Sequence, residues 1–373
     1  MKEYLIVIAA TLVLAWIIER TQYGPVNSLG NRNKDRFCYF LIFAVLTLFI
    51  GLRTHYNDTL AYISMYEKAV AFPKFWEDFT FRFGGNTGFL IVQSWLKTKQ
   101  LPAQSYILFF AALSMLCTLI FLRHNSRNIM LSLFLLFATN AYTLSAAALK
   151  QSAAIAIGLI AIIFAQKRKW GWVAVLLFLA TTFHPYVLVF AIVPFLTFKP
   201  WTGKTYIVLA AFLVVGFALE SLLGTIVDIT SMIGDNYTEE DLIGEGINVF
   251  RVLVCNVPLV LSFLYRKRLF ENSSRSENLM VNLAMINGAI MFVGSFGTAI
   301  YFSRMASFFT IAQCIVLPWI LGRLPRQTRT FYTWGMIAGY SGFFIYANMI
   351  SQSFDANFSR ITIVQYLAEY IFK

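Results

Sequence analysis

"AQSYILFFAALSMLCTLIFLRHNSR", residues 103–127, decides the fold. From Ala103 to Leu122 no residue is charged, and the run then ends at Arg123 and Arg127. A helix of that length rises roughly 30 Å, the thickness of a bilayer's hydrocarbon core. The whole chain repeats the message. It has 373 residues, of which 58% are hydrophobic and only 13% charged, with a mean hydropathy of +0.66. One water-soluble core cannot hide that much apolar side chain.

Working outward, similar runs predict an all-α, polytopic helical membrane protein with about twelve spans. They fall at 4–19, 37–53, 103–122, 128–146, 148–166, 170–183, 185–199, 204–222, 247–265, 279–300, 303–322 and 329–348. The first reads as an uncleaved span, because Trp16, Glu19 and Arg20 stand where a signal peptide needs small residues. No repeat or linker divides 1–373, which reads as a single integral membrane domain. Cys38, Cys117, Cys255 and Cys314 all fall inside predicted spans, which speaks for packing and against disulfides or zinc.

Basic residues cluster in alternate loops: Arg20 to Arg36, Arg123 and Arg127, Lys167 to Lys169, Lys199 and Lys204, Arg266 to Arg275, and Arg323 to Arg329. The positive-inside rule makes these loops cytoplasmic and puts both termini outside. They also absorb the net charge of +12, so nucleic acid is not the implied partner.

Two long segments face outward. Residues 54–102 predict external amphipathic helices, with Phe72, Phe75, Trp76, Phe79, Phe81 and Phe83 as an interfacial belt and Gly84-Gly85-Asn86 as a break. Residues 223–246 form an external acidic loop carrying Asp228, Asp235, Glu239, Glu240, Asp241 and Glu245. It reads either as a solvated cap or as a lid.

Most outer cations sit in loops where hydration or lipid headgroups satisfy them. Four stand instead at the mouths of predicted spans: Arg53, Lys150, Arg251 and Arg304. Each alone is either a snorkelling helix end or an anion ligand. Four at one depth, on the face where the charge rule does not call for them, favour a shared anionic ligand. His184, in "TTFHPYVLVF", marks an external turn broken by Pro185. It is either a structural donor to a freed carbonyl or a general base. Asn57, Asp58 and Tyr62 follow Arg53 as polar and aromatic groups suited to sugars, and Gln151 adds a polar group beside Lys150.

In several stretches the chain resembles the EpsG-type branch of the Wzy polysaccharide polymerases. "GLRTHYNDTLAYISMYE" resembles that family's Gly-Leu-Arg stretch, "TGFLIVQSWL" its Gly-Phe segment and "ALKQSAAIAI" its Arg-Gln helix start. "FHPYVLVFAIVPFL" resembles its His-containing reentry, and "YFSRMASFFTIAQCIVLPWI" its arginine-led span. Two positions depart: Lys150 replaces the usual Arg, losing its bidentate fork, and Asn86-Thr87 stands where an acid is common.

The resemblance implies a GT-C-like glycosyltransferase architecture in the bacterial cytoplasmic membrane, with its site facing outside. It implies an undecaprenyl-diphosphate-linked oligosaccharide as donor and acceptor, in exopolysaccharide or capsule synthesis. Membrane lipid, a flippase and a chain-length regulator are the implied partners. In that frame Arg53, Lys150, Arg251 and Arg304 bind diphosphate, and His184 is the catalytic base with Asp58 competing for the role. Asn57, Tyr62 and Gln151 bind sugar. No P-loop, Asp-x-Asp or metal-spaced histidine cluster occurs, so no metal, nucleotide or other cofactor is expected. A flippase or transporter of an anionic lipid-linked sugar, or a membrane O-acyltransferase, stands as the alternative. A transporter more often shows repeat-related halves with polar groups at mid-membrane.

Overall fold

The computed structural model describes residues 1–22, 30–81, 84–232, 246–296, 299–351 and 354–371. In chain order its main elements are α1 (Lys2–Gln22), α2 (Gly30–Gly51), β1 (Arg53–His55), α3 (Thr59–Glu67), α4 (Lys74–Glu77), α5 (Thr87–Thr98) and α6 (Ala103–Asn125). Then come α7 (Ile129–Ala138), α8 (Ala141–Ala147), α9 (Leu149–Gln166), α10 (Trp170–Thr181), a 3-10 segment (Pro185–Leu196), α11 (Gly203–Phe217) and α12 (Leu219–Met232). The chain closes with α13 (Val249–Leu264), α14 (Arg275–Val293), α15 (Ala299–Arg323), α16 (Arg326–Ile345) and a two-residue β2 (Ser359–Arg360). The expected all-α membrane class is what the chain forms. Residues 54–102 contain helices α3 to α5, of which α5 is amphipathic, and Phe72, Phe75, Trp76 and Phe79 meet in tilted and edge-to-face contacts as an aromatic cluster. Of the acidic segment, residues 233–245 lie outside the described residues, as does Phe83.

The expected count of about twelve is not reached by uninterrupted helices. Among the described residues four helices are long and apolar enough to cross a membrane: Ala103–Asn125, Leu149–Gln166, Arg275–Val293 and Tyr301–Arg323. The pair Ile129–Ala138 and Ala141–Ala147, bent by 52°, makes a fifth if taken as one broken span. Hydropathy counts apolar residues but is blind to where the helical hydrogen-bond ladder breaks. Predicted span 128–146 breaks at Asn140, which takes a left-handed φ of 59°. Predicted span 185–199 is wound as a 3-10 helix holding Pro185 and Pro194. Span 204–222 breaks at Ala218, and 247–265 yields a helix of 16 residues.

Neighbouring helices repair two further breaks. Pro258 in α13 lacks an N–H, which leaves the Val254 carbonyl without its helical donor, and Tyr340 Oη of α16 donates to it at 3.0 Å. Pro318 in α15 frees the Cys314 carbonyl in the same way, and Ser132 Oγ of α7 donates to it at 2.6 Å. Both repairs are hydroxyl-to-carbonyl bonds, the Ser132 one buried and the Tyr340 one part-buried, that tie helices together where lipid supplies no substitute.

β1 pairs antiparallel with β2, Arg53 opposite Arg360 and His55 opposite Ser359. Thr54 Oγ1 and Ser359 Oγ lie 2.8 Å apart, and His55 Nδ1 lies 2.8 Å from the Asn357 carbonyl oxygen. Arg360 Nε donates to Glu3 at 2.8 Å. Glu3 and Arg360 therefore lie on one face.

Candidate active site

Five separate parts of the chain wall a polar cavity of about 190 Å³. The start of α3 supplies Asp58 and Tyr62, one helical turn apart and hence on one face. The turn before α5 supplies Gly84 and Asn86. The N-terminus of α9 supplies Ala148, Lys150 and Gln151, the apex between α10 and the 3-10 segment supplies His184 and Pro185, and α15 supplies Arg304.

Each wall has a local cause. Ala148, the N-cap of α9, has no side chain that can cap the helix, so the first N–H groups of α9 look for partners elsewhere. Those of Lys150 and Leu149 reach the Tyr62 phenol oxygen. Burial nevertheless pushes the Tyr62 phenol up to about 12, helped by the negative charge of Asp58, so Tyr62 is neutral at physiological pH and is not a base. The Lys150 ammonium lies 5.2 Å from the centre of the buried Phe89 ring, which forms a floor beneath it. Phe89 is brought there by Gly88, whose N–H donates to the Thr182 carbonyl at 2.8 Å. A Cβ at Gly88 would stand 2.2 Å from Thr182 Oγ1, so only glycine permits the approach.

His184 is extended and caps the 3-10 segment: its Nδ1 accepts the Tyr186 N–H at 3.3 Å. A neutral imidazole that accepts at Nδ1 carries its proton on Nε2. The histidine thus enters the site as a donor at Nε2, and acting as a base would require it to surrender the cap. Phe308, one turn beyond Arg304 on α15, lies 6.4 Å from the His184 ring and keeps the two residues on one wall.

The model of the EpsG family matches residues 36–367, nearly the whole chain. The chain belongs to the EpsG family. EpsG proteins are a Wzy-type polymerase family, and this one is a polysaccharide-polymerase-type membrane protein. No curated protein and no solved structure matches the chain.

Of the nine residues singled out in this EpsG chain, Asp58, Tyr62, Lys150, Gln151, His184 and Arg304 line the cavity. Arg53 does not. It is fully buried, its Nε donates to Thr59 Oγ1 at 2.9 Å and its Nη1 donates to the Ile50 carbonyl, so it welds the end of α2 to the start of α3. Arg251 stands in the first turn of α13, one turn before the buried Cys255, and does not line the cavity either. Asn57 is exposed just outside, in a left-handed turn with φ 41°. Gln151 uses its amide N–H groups on the Arg304 carbonyl at 2.9 Å and Ser307 Oγ at 2.6 Å, so it fixes α15 to α9 more than it reaches for sugar. Gly84, Asn86, Ala148 and Pro185 are wall residues that the sequence offered only as turn or helix-end signals. Asn86 places an amide in the cavity.

Proposed function

We propose that this EpsG protein is a membrane glycosyltransferase that joins undecaprenyl-diphosphate-linked oligosaccharide repeat units into polysaccharide on the outer face of the bacterial cytoplasmic membrane. The observation that carries the reading is the meeting of Lys150, Arg304, His184 and Asp58, from four distant parts of the chain, in one polar cavity. Lys150 and Arg304 hold the donor diphosphate, aided by the N-terminus of α9. A sugar hydroxyl of the acceptor attacks the anomeric carbon of the donor. The bond to the diphosphate oxygen breaks, and undecaprenyl diphosphate leaves with its negative charge facing the two cations. The hydroxyl proton needs a base. The cap on His184 favours Asp58 for that role, with His184 donating from Nε2 to the diphosphate or to a sugar.

The architecture we infer is GT-C-like, with the short and bent helices completing about twelve crossings in pairs. Arg53 and Arg251 support the site from outside its wall, and Asn57 and Tyr62 meet sugar at its mouth. A flippase that delivers the repeat unit and a regulator of chain length complete the inferred pathway. No nucleotide or metal takes part. The test is purified protein given lipid-linked repeat units, with a ladder of products expected. Transport of the same units without a ladder overturns the enzyme reading in favour of a flippase.

A further inference from the structure

A second hollow, of about 510 Å³, adjoins the polar cavity, and its walls include Leu188, Val189, Phe212, Ile290, Val293 and Met305. The volume lies within the roughly 300–1,000 Å³ of small-molecule sites. Only Tyr301 brings a hydroxyl to its lining. Two segments wall both hollows. The 3-10 segment begins at the polar cavity with Pro185 and one turn later turns Leu188 and Val189 into the apolar one. Helix α15 gives Arg304 to the first and the adjacent Met305 to the second. The partition between them is aromatic: the Tyr186 ring, 4.8 Å from His184, meets the Tyr301 ring at 5.8 Å. Leu188 and Val215, on the rim, are exposed, so the hollow opens sideways between the 3-10 segment and α11. The neighbouring Phe195, Val214 and Phe217 are exposed as well, and that apolar flank faces lipid.

A cationic cavity joined through an aromatic partition to a lipid-facing apolar slot matches one chemistry, a diphosphate esterified to a long hydrocarbon tail. We propose that this hollow seats the first isoprene units of the lipid-linked donor, which slides in from the bilayer between the 3-10 segment and α11. This rests on the reading of the polar cavity as the diphosphate site. Ala211, on the exposed side of α11, also lines the hollow, so Ala211→Trp fills it from the rim without repacking the bundle.

The experiment uses the full chain in nanodiscs and three probes: inorganic diphosphate, geranyl diphosphate and undecaprenyl diphosphate. Wild-type protein should bind the two prenyl probes at least about tenfold more tightly than inorganic diphosphate, and folded Ala211→Trp or Val215→Trp should lose about that factor for the prenyl probes alone. In a second measurement, a diazirine on the first isoprene unit should label residues 188–192 or 286–293. Unchanged prenyl binding by both variants, labelling confined to α1 or α16, or displacement of the prenyl probes on equal terms by phosphatidylglycerol overturns this proposal alone. Failure of inorganic diphosphate to bind wild-type protein overturns the diphosphate reading, and this proposal with it.

Discussion

At the scale of single residues, substitutions in the cavity test which groups hold charge and which move protons. Lys150→Arg should retain activity, whereas Lys150→Ala should lose about a hundredfold in turnover, as removal of one preorganised charge donor does. Asp58→Asn should also drop turnover by about a hundredfold while donor binding holds. His184→Asn keeps an acceptor for the Tyr186 N–H and should stay active. If His184→Asn is dead and Asp58→Asn is not, the base is His184. Tyr62 gives a pH signature. Its phenol is raised above the unfolded 10.0 to about 12, so the folded state binds more protons between those values. Stability should be intact below pH 10 and fall as pH rises to about 12, and Tyr62→Phe should flatten that part of the unfolding curve. Sequence singled out Lys150, His184 and Arg304 because charge near an apolar span has few explanations, and all three line one cavity. Arg53 does not join them in the cavity, because hydropathy reports depth and not direction. The guanidinium sits at the expected end of α2 but turns inward to Thr59 and Ile50. Gly88 carried a signal that only geometry decodes. Gly88→Ala should cost about 1–3 kcal/mol and displace Phe89 from under Lys150, seen as lower thermal stability together with weaker diphosphate binding.

At the scale of elements, apolar runs were legible and their breaks were not. Uninterrupted runs such as Ala103–Asn125 became helices as expected. The breaks depend on groups far away in sequence: Pro318 stays inside α15 because Ser132 covers its freed carbonyl. That relation predicts a rescue. Ser132→Ala should lower stability by about 1–3 kcal/mol by orphaning the Cys314 carbonyl. Pro318→Ala, by returning an N–H to that carbonyl, should recover most of the loss in the double variant, read by thermal unfolding in detergent. Equal losses in the single and double variants would refute the repair. The 12 residues of α10 rise about 18 Å, short of the roughly 30 Å of a full crossing.

At the scale of the whole molecule, the charge sorting is testable by impermeant thiol reagents. A cysteine at Ser273 should react only from the cytoplasm and one at Ser231 only from outside; the reverse pattern would put the cavity on the wrong face. A chelator should leave the product ladder unchanged, because the two cations meet the leaving group's charge. The closure of β1 on β2 has a consequence in time. Thr54 waits for a partner made 305 residues later. Asp58 and Tyr62 follow β1 directly, so their wall has no clamp until Ser359 has been made. A half-made chain already in the bilayer holds Lys150 and His184 without the geometry to use them, and a substrate that arrives early finds no working enzyme.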